Sequence, residues 1–121
     1  MGQPSEVITV KSLEYSTTPY DEYGSGPRRD VFLIFKVRVD GLASTSVYEG
    51  DFYVVTKNGA RLEAGNGNAW DAVNYDDTLG WAEVNAGQHK AGYIVFDSPV
   101  EHGTLEYDPN FEGEPVVTWE F

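Results

Sequence analysis

The chain has 121 residues, eight Lys and Arg against twenty Asp and Glu, and no cysteine. That length is one domain, by the usual span of roughly 100–200 residues. The net charge of −12 argues against nucleic acid and anionic membrane surfaces, which recruit Lys and Arg, and the missing cysteines exclude disulfides, thiolate metal sites and cysteine nucleophiles.

The start, Met1 to Glu6, is too polar for a signal peptide. No apolar run approaches the ~18–20 residues of a membrane span. Residues 1–5 are expected to be a linker remnant of a longer chain, ahead of a single domain over 6–121. Val7–Val10 and Leu13–Tyr15 predict a first strand of β-branched and aromatic residues, with a bulge near Lys11-Ser12. Ser16 to Asp30 is polar, with Pro19, Gly24, Gly26 and Pro27, and reads as a loop. Val31 to Asp40 is the clearest strand. Val31, Leu33, Phe35, Val37 and Val39 share one face, and Lys36, Arg38 and Asp40 share the other. Phe32 and Ile34 interrupt the polar face, which predicts a cover over its beginning.

Phe52 to Thr56 is a further strand, and Lys57-Asn58-Gly59-Ala60 supplies an Asn-Gly hairpin turn back into Arg61-Leu62-Glu63. Residues 64–78, rich in Gly, Asn and Asp, read as a long surface loop. Leu79 to Val84 is a short strand, and Asn85 to Gln88 a turn. Gly92 to Phe96 is apolar on both sides and predicts a central strand covered on both faces. Thr104 to Tyr107 alternates again, Asp108-Pro109-Asn110 turns, and Val116 to Phe121 closes the chain with Val117, Trp119 and Phe121 on one face. Seven or eight short strands without an amphipathic helix give an all-β chain. A β-sandwich is the leading architecture and a small barrel the alternative.

The charge is uneven. Residues 1–61 hold seven basic residues and eight acids, whereas residues 62–121 hold Lys90 against twelve acids, a net of −11. A solvated acidic face is one reading; a cation site or a basic partner is the other. His89 and His102 sit in polar turns thirteen residues apart, without a G-x-S-x-G elbow or zinc-ligand spacing. No carboxylate pair stands out for glycoside hydrolysis. No catalytic residue, metal ligand or cofactor is therefore assigned. A small hydrolase or carbohydrate-active domain is kept as an alternative, as is a cation-stabilised structural module.

The segment 70–77 carries most chemical interest. Asp71, Asn74, Asp76 and Asp77 are the hard oxygen donors calcium prefers, although their spacing is not that of an EF-hand. Trp70, Asp71, Tyr75, Asp76 and Asp77 are the candidate binding residues. Tyr20 and Tyr23, on the Gly/Pro loop, are candidate interface residues, since Tyr combines area with a polar tip. Tyr53, Tyr93, Tyr107 and Trp119 are assigned to packing.

Asn85 to Pro99, with its Gly87, Gly92-Tyr93-Ile94-Val95-Phe96 and Pro99, resembles a glycine–strand–proline pattern of a bacterial family of unknown function. Leu105-Glu106-Tyr107-Asp108-Pro109 resembles its continuation. The Val7–Tyr15, Val31–Val39 and Asp51–Gly59 segments stand in the family's order. Asp40-Gly41-Leu42 departs from it, where members often carry Asn-x-Gly-type residues. The family is related to the secreted immunogenic protein of mycobacteria. The resemblance implies an antiparallel immunoglobulin-like β-sandwich of seven or eight strands. It further implies a secreted or lipoprotein-anchored, non-enzymatic extracellular domain of Gram-positive bacteria, whose partner is a protein or a cell-envelope ligand; the solvated acidic surface predicts a monomer.

Overall fold

The computed structural model describes residues 4–110 and 115–121; part of the expected lead, residues 1–3, lies outside them. The described chain is an all-β sandwich with nine strands: β1 (Glu6–Ser16), β2 (Val31–Gly41), β3 (Thr45–Tyr48), β4 (Phe52–Val55), β5 (Arg61–Glu63), β6 (Trp81–Val84), β7 (His89–Ser98), β8 (Thr104–Tyr107) and β9 (Val117–Glu120). One layer runs β1-β2-β7 and the other β5-β4-β8-β9, while β3 and β6 form a two-stranded ribbon. All pairings between these strands are antiparallel.

Period two explains the core. Val31, Leu33, Phe35, Val37 and Val39 of β2 and Ile94 and Phe96 of β7 face Phe52, Val54, Leu62, Leu105 and Tyr107 of the other layer. Phe35 meets Phe96 and Phe121 edge-on, at 5.7 and 5.2 Å between centroids, the arrangement that ring quadrupoles favour. The predicted bulge in β1 is present, with the register against β2 shifting between Val10 and Ser12. The predicted Asn-Gly turn closes the β4–β5 hairpin, with Gly59 at φ +85°.

The interruption of the polar face by Phe32 and Ile34 has its cover. They form a second, smaller core with Val95, roofed by Ala69 and Ala72 of the 64–78 loop and flanked by Trp70, Val73 and Tyr93. That loop is therefore half interior. It makes two short 3-10 turns, Ala69–Ala72 and Tyr75–Asp77.

The strand count exceeds the expected seven or eight because β3 was not foreseen. Only Val47 of Thr45-Ser46-Val47-Tyr48 is apolar and buried, so the segment carries almost no periodic signal. It is a strand because β6 pairs with it, Val47 opposite Ala82 and Tyr48 opposite Trp81. The ribbon is joined to the main sheet at the start of β6. Thr78 bridges Tyr93 in parallel, and Leu79 donates its N–H to the Tyr93 carbonyl at 2.9 Å.

Gly92 makes that junction possible. A Cβ there would lie 2.7 Å from Leu79 N and Cα, closer than real Cβ atoms approach backbone. Gly92→Ala should destabilise the domain by about 1–3 kcal/mol, the usual cost of overpacking. Urea unfolding measures it, and an unchanged midpoint would show that the β6–β7 junction yields freely.

Candidate functional site

The loops 17–30 and 64–78 meet on the outer side of the β1-β2-β7 layer, and a buried carboxylate ties both to β7. Asp97, on β7, is 4% exposed. Its Oδ2 accepts the backbone N–H of Arg28 at 2.7 Å and of Asn68 at 3.0 Å, and its Oδ1 accepts that of Arg29 at 3.0 Å. Burial works against the charged form. The three N–H bonds, with the charge of Arg29, outweigh it and hold the carboxyl below its ordinary value of 3.8. Gly67, at φ +63°, lets the backbone pass over this carboxylate, since a Cβ would stand 2.6 Å from Oδ2.

Further bonds lace the loops together. Tyr20 N–H donates to the Asp71 carbonyl at 2.7 Å, Ser25 N–H to Asp71 Oδ2 at 3.2 Å, and Asn68 Nδ2 to the Gly26 carbonyl at 3.0 Å. The 17–30 stretch is thereby an ordered partner of the acidic loop. Together they enclose a depression of about 250 Å³ lined by Tyr20, Asp21, Tyr23, Gly24, Trp70, Asp71 and Val73. Tyr23 is 89% exposed and Tyr75 64%. Trp70, half-buried, meets the Tyr75 ring edge-on at 5.8 Å.

The five residues predicted to bind do not form one cluster. Trp70 and Asp71 line this depression with Tyr20 and Tyr23, and Tyr75 flanks Trp70. Asp76 and Asp77 instead line a separate groove of about 410 Å³ with Lys36, Lys90 and Tyr93. The calcium donor set disperses for the same reason: Asp71 takes the Ser25 N–H and Asn74 Oδ1 takes the Asp76 N–H at 3.1 Å. Among the described residues no group of three or more His, Cys, Asp and Glu is placed to hold a metal ion. His89 and His102 are exposed. Among the described residues no helix is long and apolar enough to cross a membrane.

Two other buried acids escaped the sequence reading. Asp108, 1% exposed, pairs with Arg61 at 2.7 Å, and the Arg61 guanidinium lies 3.9 Å over the Tyr53 ring. Glu49, 6% exposed between β3 and β4, has its Oε2 without a hydrogen-bond partner. Burial pushes the Glu49 carboxyl up, against the opposing pull of the Gly80 N–H and Lys90. Each lies in a short polar segment whose composition looks like surface, so no local pattern distinguished them.

The all-β sandwich is the class of protein that these observations define. No family model matches the sequence, and no curated protein matches it at significant similarity. Solved structures do share the fold. The secreted protein MPT63 of Mycobacterium tuberculosis superposes with a TM-score of 0.70 at 19% identity, over 96% of this chain and 82% of that one. A candidate lipoprotein of Bacillus subtilis, YcdA, gives 0.69 at 19% identity, over 97% of this chain but 36% of that one. The YjhA protein of Bacillus subtilis gives 0.64 at 17% identity, over 99% and 92%. The family resemblance drawn from the C-terminal motifs thus stands as a distant structural relationship.

Asp97 and Glu49 have opposite pH signatures. Asp97, with its pKa lowered in the folded state, contributes stability that is present above 3.8 and lost as the pH falls through its folded value. Asp97→Asn should cost about 1.5–3 kcal/mol at neutral pH, the scale of a hydrogen bond to a charged group, with the gap to wild type narrowing in acid. Glu49, with its pKa raised, contributes stability that is full below 4.5 and declines as the pH rises through its folded value. Relative to wild type, Glu49→Gln should therefore gain stability from acid to neutral pH. Chemical unfolding across pH reads both; parallel wild-type and variant curves would refute either assignment.

Proposed function

We propose that the protein is a non-enzymatic, immunoglobulin-like extracellular domain that binds a basic partner through its 17–30 and 64–78 loops. The observation that carries this reading is the company of Tyr20, Tyr23, Trp70 and Tyr75 with Asp21 and Asp71 on two loops held by one buried carboxylate. Aromatic rings offer area at low cost in side-chain entropy, and their negative faces attract cations. The surrounding carboxylates add attraction for Lys and Arg side chains, and the −11 of the second half of the chain supplies the long-range field. A secreted protein and a candidate lipoprotein among the structures of like fold support an exported setting. The partner is then a protein or cell-envelope ligand presenting amines or guanidiniums.

Titration of the isotope-labelled protein with an oligolysine peptide tests the reading. Amide shifts should concentrate in residues 17–30 and 64–78, and the affinity should fall as salt rises from about 0.05 to 0.15 M. Tyr23→Ala and Tyr75→Ala should weaken binding severalfold and leave the melting temperature within a degree or two, because exposed positions rarely carry stability. Shifts spread evenly over the acidic surface, or no saturable binding, would overturn it.

A further inference from the structure

A second aromatic surface lies away from these loops, on the β3–β6 ribbon. Alternation sends Val47, Ala82 and Val84 inward and leaves Ser46, Tyr48, Trp81 and Glu83 on the outer face. Tyr48 and Trp81 are directly opposed across the ribbon. Their rings stack at 4.3 Å between centroids and 19° between planes, and Trp81 is 62% exposed. No packing role requires an indole there, since the ribbon already buries its other face.

The stack is built to keep its shape. Tyr48 packs against Gly50, where a Cβ would stand 2.3 Å from Tyr48 Cε2 and would push the ring from its present position. Glu49 N–H donates to the Gly80 carbonyl at 2.9 Å, which ties the turn after β3 to the residue before β6. Lys90 Nζ donates to the Trp81 carbonyl at 3.2 Å, which fixes the strand from the β7 side.

Beside the stack the ribbon is polar. A shallow, open groove of about 610 Å³ is lined by Ser44, Thr45, Ser46, Glu83, Val84 and Asn85. Ser44 Oγ bonds Asn85 Oδ1 at 2.8 Å, which orients both side chains. The Ser46–Glu83 pair stands about 7 Å along the ribbon from the Tyr48–Trp81 pair, two residues at the usual strand rise.

We propose that this face is a binding platform for a neutral saccharide. A pyranose presents a face of C–H groups and a rim of hydroxyls. The C–H face suits the negative π face of an exposed indole, and the hydroxyls suit the hydroxyl, amide and carboxylate groups of Ser44, Ser46, Asn85 and Glu83. Glu83 on the face and the net charge of −12 repel anionic polymers, including nucleic acid. A protein partner would want an apolar centre inside a polar rim, whereas here the aromatic pair stands next to an open polar groove. The ring stack fixes where a sugar unit sits, and the groove gives room for its neighbours in a chain.

The test is titration of isotope-labelled protein with maltohexaose, cellohexaose and chitohexaose, reading the Trp81 indole N–H. At least one sugar should shift it saturably, together with amides of β3 and β6. Trp81→Ala and Gly50→Ala should each weaken that binding by roughly tenfold or more, the effect of losing a central aromatic contact. Trp81→Phe should retain part of it, which separates ring loss from misfolding, and Trp70→Ala should leave it unchanged, which separates this face from the loop surface. No response of Trp81 to any of the three sugars, binding unaffected by Trp81→Ala, or shifts confined to residues 17–30 and 64–78 would overturn the proposal. So would self-association in sedimentation that Trp81→Ala abolishes, because a second copy of the chain would then hold the face.

Discussion

The buried carboxylate of Asp97 decides where the loops of this sandwich lie. An anion out of water is costly unless hydrogen bonds replace its hydration. Here the replacements are backbone N–H groups of Arg28, Arg29 and Asn68, contributed by two segments more than thirty residues apart in the chain. The bargain works in both directions: the carboxylate is solvated, and donors with no sheet partner are satisfied. Once both loops are held there, Ala69 and Ala72 close over Phe32, Ile34 and Val95, and an otherwise exposed apolar patch becomes a second core. The aromatic surface formed by Tyr20, Tyr23, Trp70 and Tyr75 follows from that closure.

Much of the sheet was legible in the sequence because its signal is local. The alternation of Val31 to Val39, the bulge near Lys11 and the Asn-Gly turn are each written within a few residues. Phe32 and Ile34 even announced a cover without saying what it was. The cover itself was not legible, because small residues such as Ala69 and Ala72 look the same in a surface loop as in a roof. β3 was missed for a related reason: its strand identity comes from β6 rather than from its own Thr-Ser-Val-Tyr. Asp97, Asp108 and Glu49 were counted with the surface charge, yet they are buried. Composition counts a carboxylate; only tertiary partners tell whether it faces water, an arginine or a backbone amide. The acidic segment 70–77 shows the same limit. Residues adjacent in sequence face two different depressions, so a donor set that looks convergent on paper is dispersed in space.

Structures of the same fold at 17–19% identity show how little of a sequence a sandwich requires. The fold needs apolar residues at alternate inward positions and workable turns; it leaves the outward positions and the loops open. Fold therefore cannot assign function here, and the informative residues are those the fold does not need. Single exposed apolar side chains are ordinary and carry no message. Tyr48 and Trp81 differ, because Gly50 leaves the space that the Tyr48 ring occupies and Lys90 donates to the backbone carbonyl of Trp81. The loop aromatics differ in the same way, since a buried charge is spent on holding the backbone that presents them. At the ribbon the surrounding structure holds an exposed Trp81, and at the loops it holds exposed Tyr23 and Tyr75 beside Trp70, which packs on the second core; these exposed rings are what the two proposed binding surfaces rest on.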